Sequence, residues 1–171
     1  MTKTKKLVLC ALLIALSFIG AHVRLAGSIA FDSLPAFLAA LMLGPTYGAA
    51  IGFLGHMLSA VTSGFYLSVP LHIVIALTMA LTMLGFGYTY RLLYKKIAEA
   101  QCLTITGIVG VVLNAPVSLM FSIAALWVIA GREAALGLLA LLPILLLASV
   151  LNVVLSIVLF KALQKVPGIG K

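Results

Sequence analysis

The sequence predicts an all-α integral membrane protein: a single domain over residues 1–171, folded as a six-transmembrane-helix bundle with both termini cytoplasmic. Composition is the first observation behind this. The chain is 64% hydrophobic and only 8% charged, where a soluble domain carries about 25% charged residues to cover its surface. A mean hydropathy of +1.32 points the same way. The second observation is the character of the apolar runs, which are long, rich in Leu, Ala and Gly, and free of period-two alternation. That pattern excludes a barrel and leaves helices to satisfy the backbone in lipid. At roughly 20 residues per span, the length allows about six helices and no further soluble domain. The third observation is where the charge sits. Lys3, Lys5 and Lys6 precede the first run, Arg91, Lys95 and Lys96 follow the fourth, and Lys161, Lys165 and Lys171 close the chain. By the positive-inside rule these groups mark cytoplasmic ends, so the net charge of +8 reads as membrane topology and not as a nucleic-acid surface.

The first helix is expected from about Leu7 to Ala26. Its lysine-rich start is like a signal peptide, but the run is long and has no convincing cleavage site, so it is read as retained. The outside loop GSIAFDSLP then delivers Pro35 to the first turn of a second helix, where its missing N–H costs nothing. That segment, AFLAALML, is short and ends at Gly44 and Pro45, a break that leads into a third helix over residues 45–62. TSGFYLSVP forms the next outside loop, and Pro70 opens a fourth helix that descends to YRLLYKK. A fifth rises from about Cys102 to Ala130, GRE at 131–133 turns outside, and a sixth descends to Lys161. Pro116 and Pro143 fall inside the last two helices, where neighbours can satisfy the freed carbonyls. There is no internal repeat or low-complexity stretch.

Polar side chains in such a bundle should share faces with small ones. On the third helix Gly48, Gly52, His56 and Ala60 recur every four residues, and on the fourth His72, Ala76, Ala80 and Met83 nearly do. The fifth shows a stripe of Gly107, Gly110, Asn114, Ser118, Phe121 and Ala125, and the sixth aligns Ser149, Asn152 and Ser156. At about 1.5 Å per residue, His72 lies within a turn of the outer surface and His56 about two turns below it. Asn114 sits near mid-depth, and for Asn152, deeper, helix packing is placed ahead of ligand binding. The loops add His22, Arg24, Asp32, Ser33 and Ser63, with Phe31, Tyr66 and Trp127 as aromatic surfaces at similar height. These residues define an expected outward-facing pocket, although Arg24 and Asp32 have the alternative of pairing with each other or with headgroups.

Several chemistries are disfavoured. His56 and His72 stand on different helices with no Cys or Glu nearby, so no metal site is expected; hydrogen bonding by neutral imidazoles suits the acid-poor setting better. Cys10 and Cys102 read as inert thiols near cytoplasmic helix ends. Without a Walker A sequence the chain does not hydrolyse ATP alone. Asp32, Glu99 and Glu133 are its only carboxylates, which leaves no buried acid for a proton relay. No strained nucleophile turn precedes Ser63, so no enzyme activity is expected. A carbonyl-rich filter or a carboxylate ring, the marks of an ion channel, is absent.

The opening TKKLVLCALLIAL, with Ala11 and Ala15 four residues apart, the stretch LPAFLAALMLGPTYGAAIGFLGHMLSA and the positive cytoplasmic end together resemble a known family. It is that of the substrate-binding (S) components of energy-coupling factor (ECF) vitamin transporters, six-helix bundles of this size. The resemblance covers essentially the whole chain. It implies a multi-pass binding subunit in the cell membrane of a prokaryote, taking up a vitamin or vitamin precursor with high affinity. It also implies a transmembrane coupling protein and two cytosolic ATPases as partners, so that ATP is used by them and this chain carries no cofactor. Ala11 and Ala15 would then meet the coupling protein, and the S component would topple to deliver its ligand inward; packing within the bundle is the other reading of that pair. Metal-transporting members use a histidine close to the N-terminus, and MTKTKK has none. Among organic ligands, GSIAFDSLPAF and GHMLSAVTSGF are most similar to members linked to cobalamin salvage, alpha-ribazole transporters above all. A flat benzimidazole would stack on Phe31, Tyr66 or Trp127, and ribose hydroxyls would bond His56, His72, Asp32 and Asn114. Pantothenate, its carboxylate on Arg24, is the closest rival. A structural or assembly subunit without a ligand would share the fold but leave its polar stripes paired between helices.

Overall fold

The computed structural model describes residues 2–22 and 31–166. Six helices and no strand occur among them: α1 (Lys3–His22), α2 (Leu34–Met42), α3 (Pro45–Thr62), α4 (Val69–Leu93), α5 (Glu99–Ala130) and α6 (Arg132–Gln164). The expected end of the first helix, to Ala26, and Arg24 with it, lie outside the described residues. α5 begins three residues before the expected Cys102, with the Glu99 carboxylate on its positive N-terminal end. α5 passes through a π turn at Leu113–Val117, around Pro116, and α6 through a 3-10 turn at Leu138–Leu141, just ahead of Pro143. Both irregular turns absorb the hydrogen bond that a proline cannot make.

Four helices, α1, α4, α5 and α6, are long and apolar enough to cross a membrane. α2 departs from the expectation of six spans. Its nine residues rise about 14 Å, less than half of a hydrocarbon core about 30 Å thick. Every residue from Pro35 to Leu41 is buried, as an element apolar all round must be. α1, α3, α4 and α6 all pack on α2, which forms a plug at the centre of the bundle. Phe37 of α2 meets Phe86 of α4 edge-on at 4.8 Å, and Ile51 and Met83 complete the layer.

The Gly44–Pro45 break turns the chain from α2 into α3. Gly44 has φ of +120°, open to glycine without strain. Its neighbour Leu43 offers a carbonyl that accepts from the Arg91 guanidinium at 3.5 Å. At Gly48 a Cβ would lie 2.6 Å from that of Ala40, so the glycine is what allows α2 and α3 to touch backbone to backbone.

The basic residues at the start of α1 and the end of α4 gather at one end of the molecule, while Arg132 stands at the other. Lys6 lies over the Tyr47 ring at the start of α3, Arg91 reaches Leu43, and Tyr90 packs against Phe160 near the end of α6. α3 runs from there to the opposite end, where a second apolar cluster of Leu71, Leu119, Leu126, Ala135 and Leu138 ties the starts of α4 and α6 to the end of α5.

Candidate ligand-binding site

Between the α2-centred core and that second cluster lies a cavity of about 470 Å³. Asp32 and Ser33 enter it ahead of α2, His56, Ser59 and Ala60 from α3, and Ser63 and Tyr66 from the turn that follows. α4 contributes His72 and Met79, α5 contributes Asn114, Ser118 and Ser122, and α6 contributes Asn152 beside aliphatic residues such as Leu141 and Ile144.

Two imidazoles form its polar centre. His56 Nε2 and His72 Nδ1 are 3.3 Å apart, a hydrogen bond between α3 and α4. His56 Nδ1 faces Asp32 Oδ2 at 3.7 Å. The His72 residue is only 3% exposed, and its Nε2 is buried with no hydrogen-bond partner. Phe65 and Tyr66 turn their rings edge-on toward it, with centroids 5.7 and 5.3 Å away. The turn carrying these rings is strained, because Phe65 and Ser68 hold φ of 50° and 121°, a region that costs non-glycine residues about 1–3 kcal/mol each. Tight capping offsets this: Phe65 N–H donates to the Ala60 carbonyl, and Ser68 Oγ accepts from the Leu71 N–H at the start of α4.

On the far wall the hydroxyls bond to one another. Thr78 and Ser118 meet at 2.9 Å, Ser122 Oγ donates to the Ser118 carbonyl, and Asn114 Nδ2 donates to Ser149 Oγ at 3.2 Å. The π turn decides which α5 residues join this wall. An extra residue in the turn carries the inward stripe from Ser118 to Ser122 and Leu126, both buried, while the expected Phe121 is 53% exposed.

Of the expected site residues, His56, His72, Asp32, Asn114, Tyr66 and Ser63 all line the cavity. Phe31 does not; it is half-buried beside it, with its backbone N–H donating to the Gly20 carbonyl. Trp127 is a correction. It sits 51% exposed beneath the Arg132 guanidinium, one residue past the inward-facing Leu126 and outside the cavity lining. Asn152 keeps both of its readings: its amide donates to the Ala148 carbonyl on its own helix at 2.8 Å, and it lines the cavity. Ser59, Ser118 and Ser122 join the site without being among the expected ligand contacts. Ser59 stands three residues after His56 and Ser118 four after Asn114, so helical spacing carries the signal for these two, whereas Ser122 comes inward through the π turn.

Asp32 is the one charged side chain among the described cavity residues. Among the described residues no group of three His, Cys, Asp or Glu side chains could hold a metal ion. The cavity is thus lined mainly by apolar side chains, with two imidazoles, one carboxylate and several hydroxyls set among them.

A family model, that of the ECF transporter substrate-specific component, matches residues 5–166. The chain belongs to this family. No curated protein and no solved structure matches it. As an S component it is the membrane substrate-binding subunit of a vitamin-type transporter, and its partners are an ECF module and a small-molecule substrate. On α1 of this S component the buried residues are Leu13, Ser17 and Ala21. Ala11 and Ala15 are exposed on the outer face, with Leu12 and Leu16 beside them, so they do not pack within the bundle.

Proposed function

We propose that this S component captures a neutral, hydroxyl-bearing vitamin precursor with a flat heteroaromatic ring, alpha-ribazole or a close relative, from outside the cell. The observation that carries this reading is the cavity itself: about 470 Å³, within the range of small-molecule sites, with paired imidazoles, one carboxylate and several hydroxyls. Ribose hydroxyls match His72, Asn114 and the serines, and Tyr66 offers the ring a partner at the rim. Pantothenate fits less well, because its carboxylate would enter beside Asp32 with no cation among the described lining residues. A ligand-free assembly subunit would pair its polar groups internally, and the unpartnered His72 Nε2 speaks against that.

The lysine-rich end faces the cytoplasm and the cavity faces outward, in line with the positive-inside rule. Ala11 and Ala15 form part of the surface for the coupling protein, and ATP is hydrolysed by partner ATPases in the cytosol. The chain itself works without a cofactor and without catalysis. The test is thermal stability of the purified chain in detergent against a panel of vitamins and precursors. Alpha-ribazole at 100 times its dissociation constant should add about 2.7 kcal/mol. No shift with any compound would overturn the reading.

A further inference from the structure

We infer that Asp32 and His56 form a relay that fixes His72 with its hydrogen on Nδ1, so that the site selects ligands presenting a hydrogen-bond donor to His72 Nε2. A neutral imidazole has one N–H and one lone pair, and the partner of one nitrogen decides the role of the other. Asp32 Oδ2 lies 3.7 Å from His56 Nδ1, longer than a hydrogen bond. Sign still decides at that distance, since a lone pair facing a carboxylate is repelled and an N–H is attracted. His56 therefore carries its hydrogen on Nδ1 and keeps a lone pair on Nε2. That lone pair faces His72 Nδ1 at 3.3 Å, where a second lone pair would again repel, so His72 Nδ1–H donates to it. What remains is the lone pair on His72 Nε2, buried and without a partner.

A buried acceptor left unpaired is costly, and a ligand hydroxyl or N–H removes that cost. A carboxylate or carbonyl oxygen at the same point sets lone pair against lone pair. Asp32 is thus a positioning residue that acts on the ligand through two rings. The relay holds while both imidazoles are neutral. A charged His56 donates through both nitrogens and reverses the polarity of His72. Asp32 and Tyr66 are the other titratable groups among the described cavity residues, and α1, α5 and α6 bring none.

The selection of a donor rests on the ligand reading above, whereas the relay can be measured without any ligand. Nitrogen NMR of the full chain with isotope-labelled histidine, in detergent at about pH 8 and above the ordinary imidazole range, reports the tautomer of each ring. There are three histidines, few enough to assign by single substitution. We expect His72 with Nδ1 protonated, a shift toward the Nε2–H form in Asp32→Ala, and the native form in Asp32→Asn, whose amide oxygen still accepts. Nε2–H at His72 in the unsubstituted protein overturns the relay whether or not any variant folds, and so does an Asp32→Ala spectrum unchanged at His72. In the second arm, alpha-ribazole is compared with a derivative whose hydroxyls are methylated, and the derivative should bind at least tenfold more weakly. Equal affinity overturns the selection of a donor. Failure of alpha-ribazole itself to bind instead sinks the ligand named above, and the spectrum then judges the relay alone.

Discussion

His72 is held from three sides, by His56 on α3 and by the rings of Phe65 and Tyr66. A side chain so fixed loses little freedom when a ligand arrives, which is the condition for a strong contribution from one hydrogen bond. Replacing His72 by Ala should weaken ligand binding by about 1–3 kcal/mol, a loss that isothermal calorimetry would resolve. Trp127→Ala should leave affinity unchanged, since that ring lies under Arg132 and outside the cavity. An equal loss in both variants would mean that fold stability, and not contact, is being measured. The contrast between His72 and Trp127 marks how far the sequence can be read. Spacing of four residues finds the histidines on the inward faces of α3 and α4, because those helices are regular. Only height places Trp127 near the pocket, and height does not say which way a ring points.

At the scale of the element, irregularity limits what periodicity can reveal. Pro116 announces a disturbance in α5, but a kink and an inserted residue have the same sequence signature. Only the second moves Ser122 inward and Phe121 outward. α2 is legible as a short segment between two breaks, yet its all-round burial comes from four neighbouring helices that no local pattern encodes. Glycines separate along the same line. Gly48→Ala would press a methyl within 2.6 Å of the Ala40 Cβ and 2.9 Å of its Cα, and should lower stability by about 1–3 kcal/mol, as overpacking does. Gly137 has helical backbone, and a methyl added there would meet open space, so Gly137→Ala should instead raise stability by up to about 1 kcal/mol. Thermal unfolding of both variants in one detergent checks the opposite signs.

For the whole molecule, the asymmetry of α1 matters most. Only Leu13, Ser17 and Ala21 are buried, while Leu7, Val8, Leu12, Leu16 and Ile19 are exposed around Ala11 and Ala15. Trp at Ala11 or Ala15 should therefore leave ligand binding by the isolated chain intact and abolish uptake in cells that express the ECF module. Lost binding in the isolated chain would instead show that this face supports the fold. The central plug formed by α2 also bears on biogenesis. A nine-residue helix is too short to be halted in a bilayer as a span of its own, and its ends would expose unpaired backbone groups to lipid. Leu43 and Gly44 already return their N–H groups to the Ala39 carbonyl, and Gly48 N–H reaches the Gly44 carbonyl. α2 and α3 thus form one hairpin-like unit, and α2 reaches its full burial only once α1, α4 and α6 have closed around it.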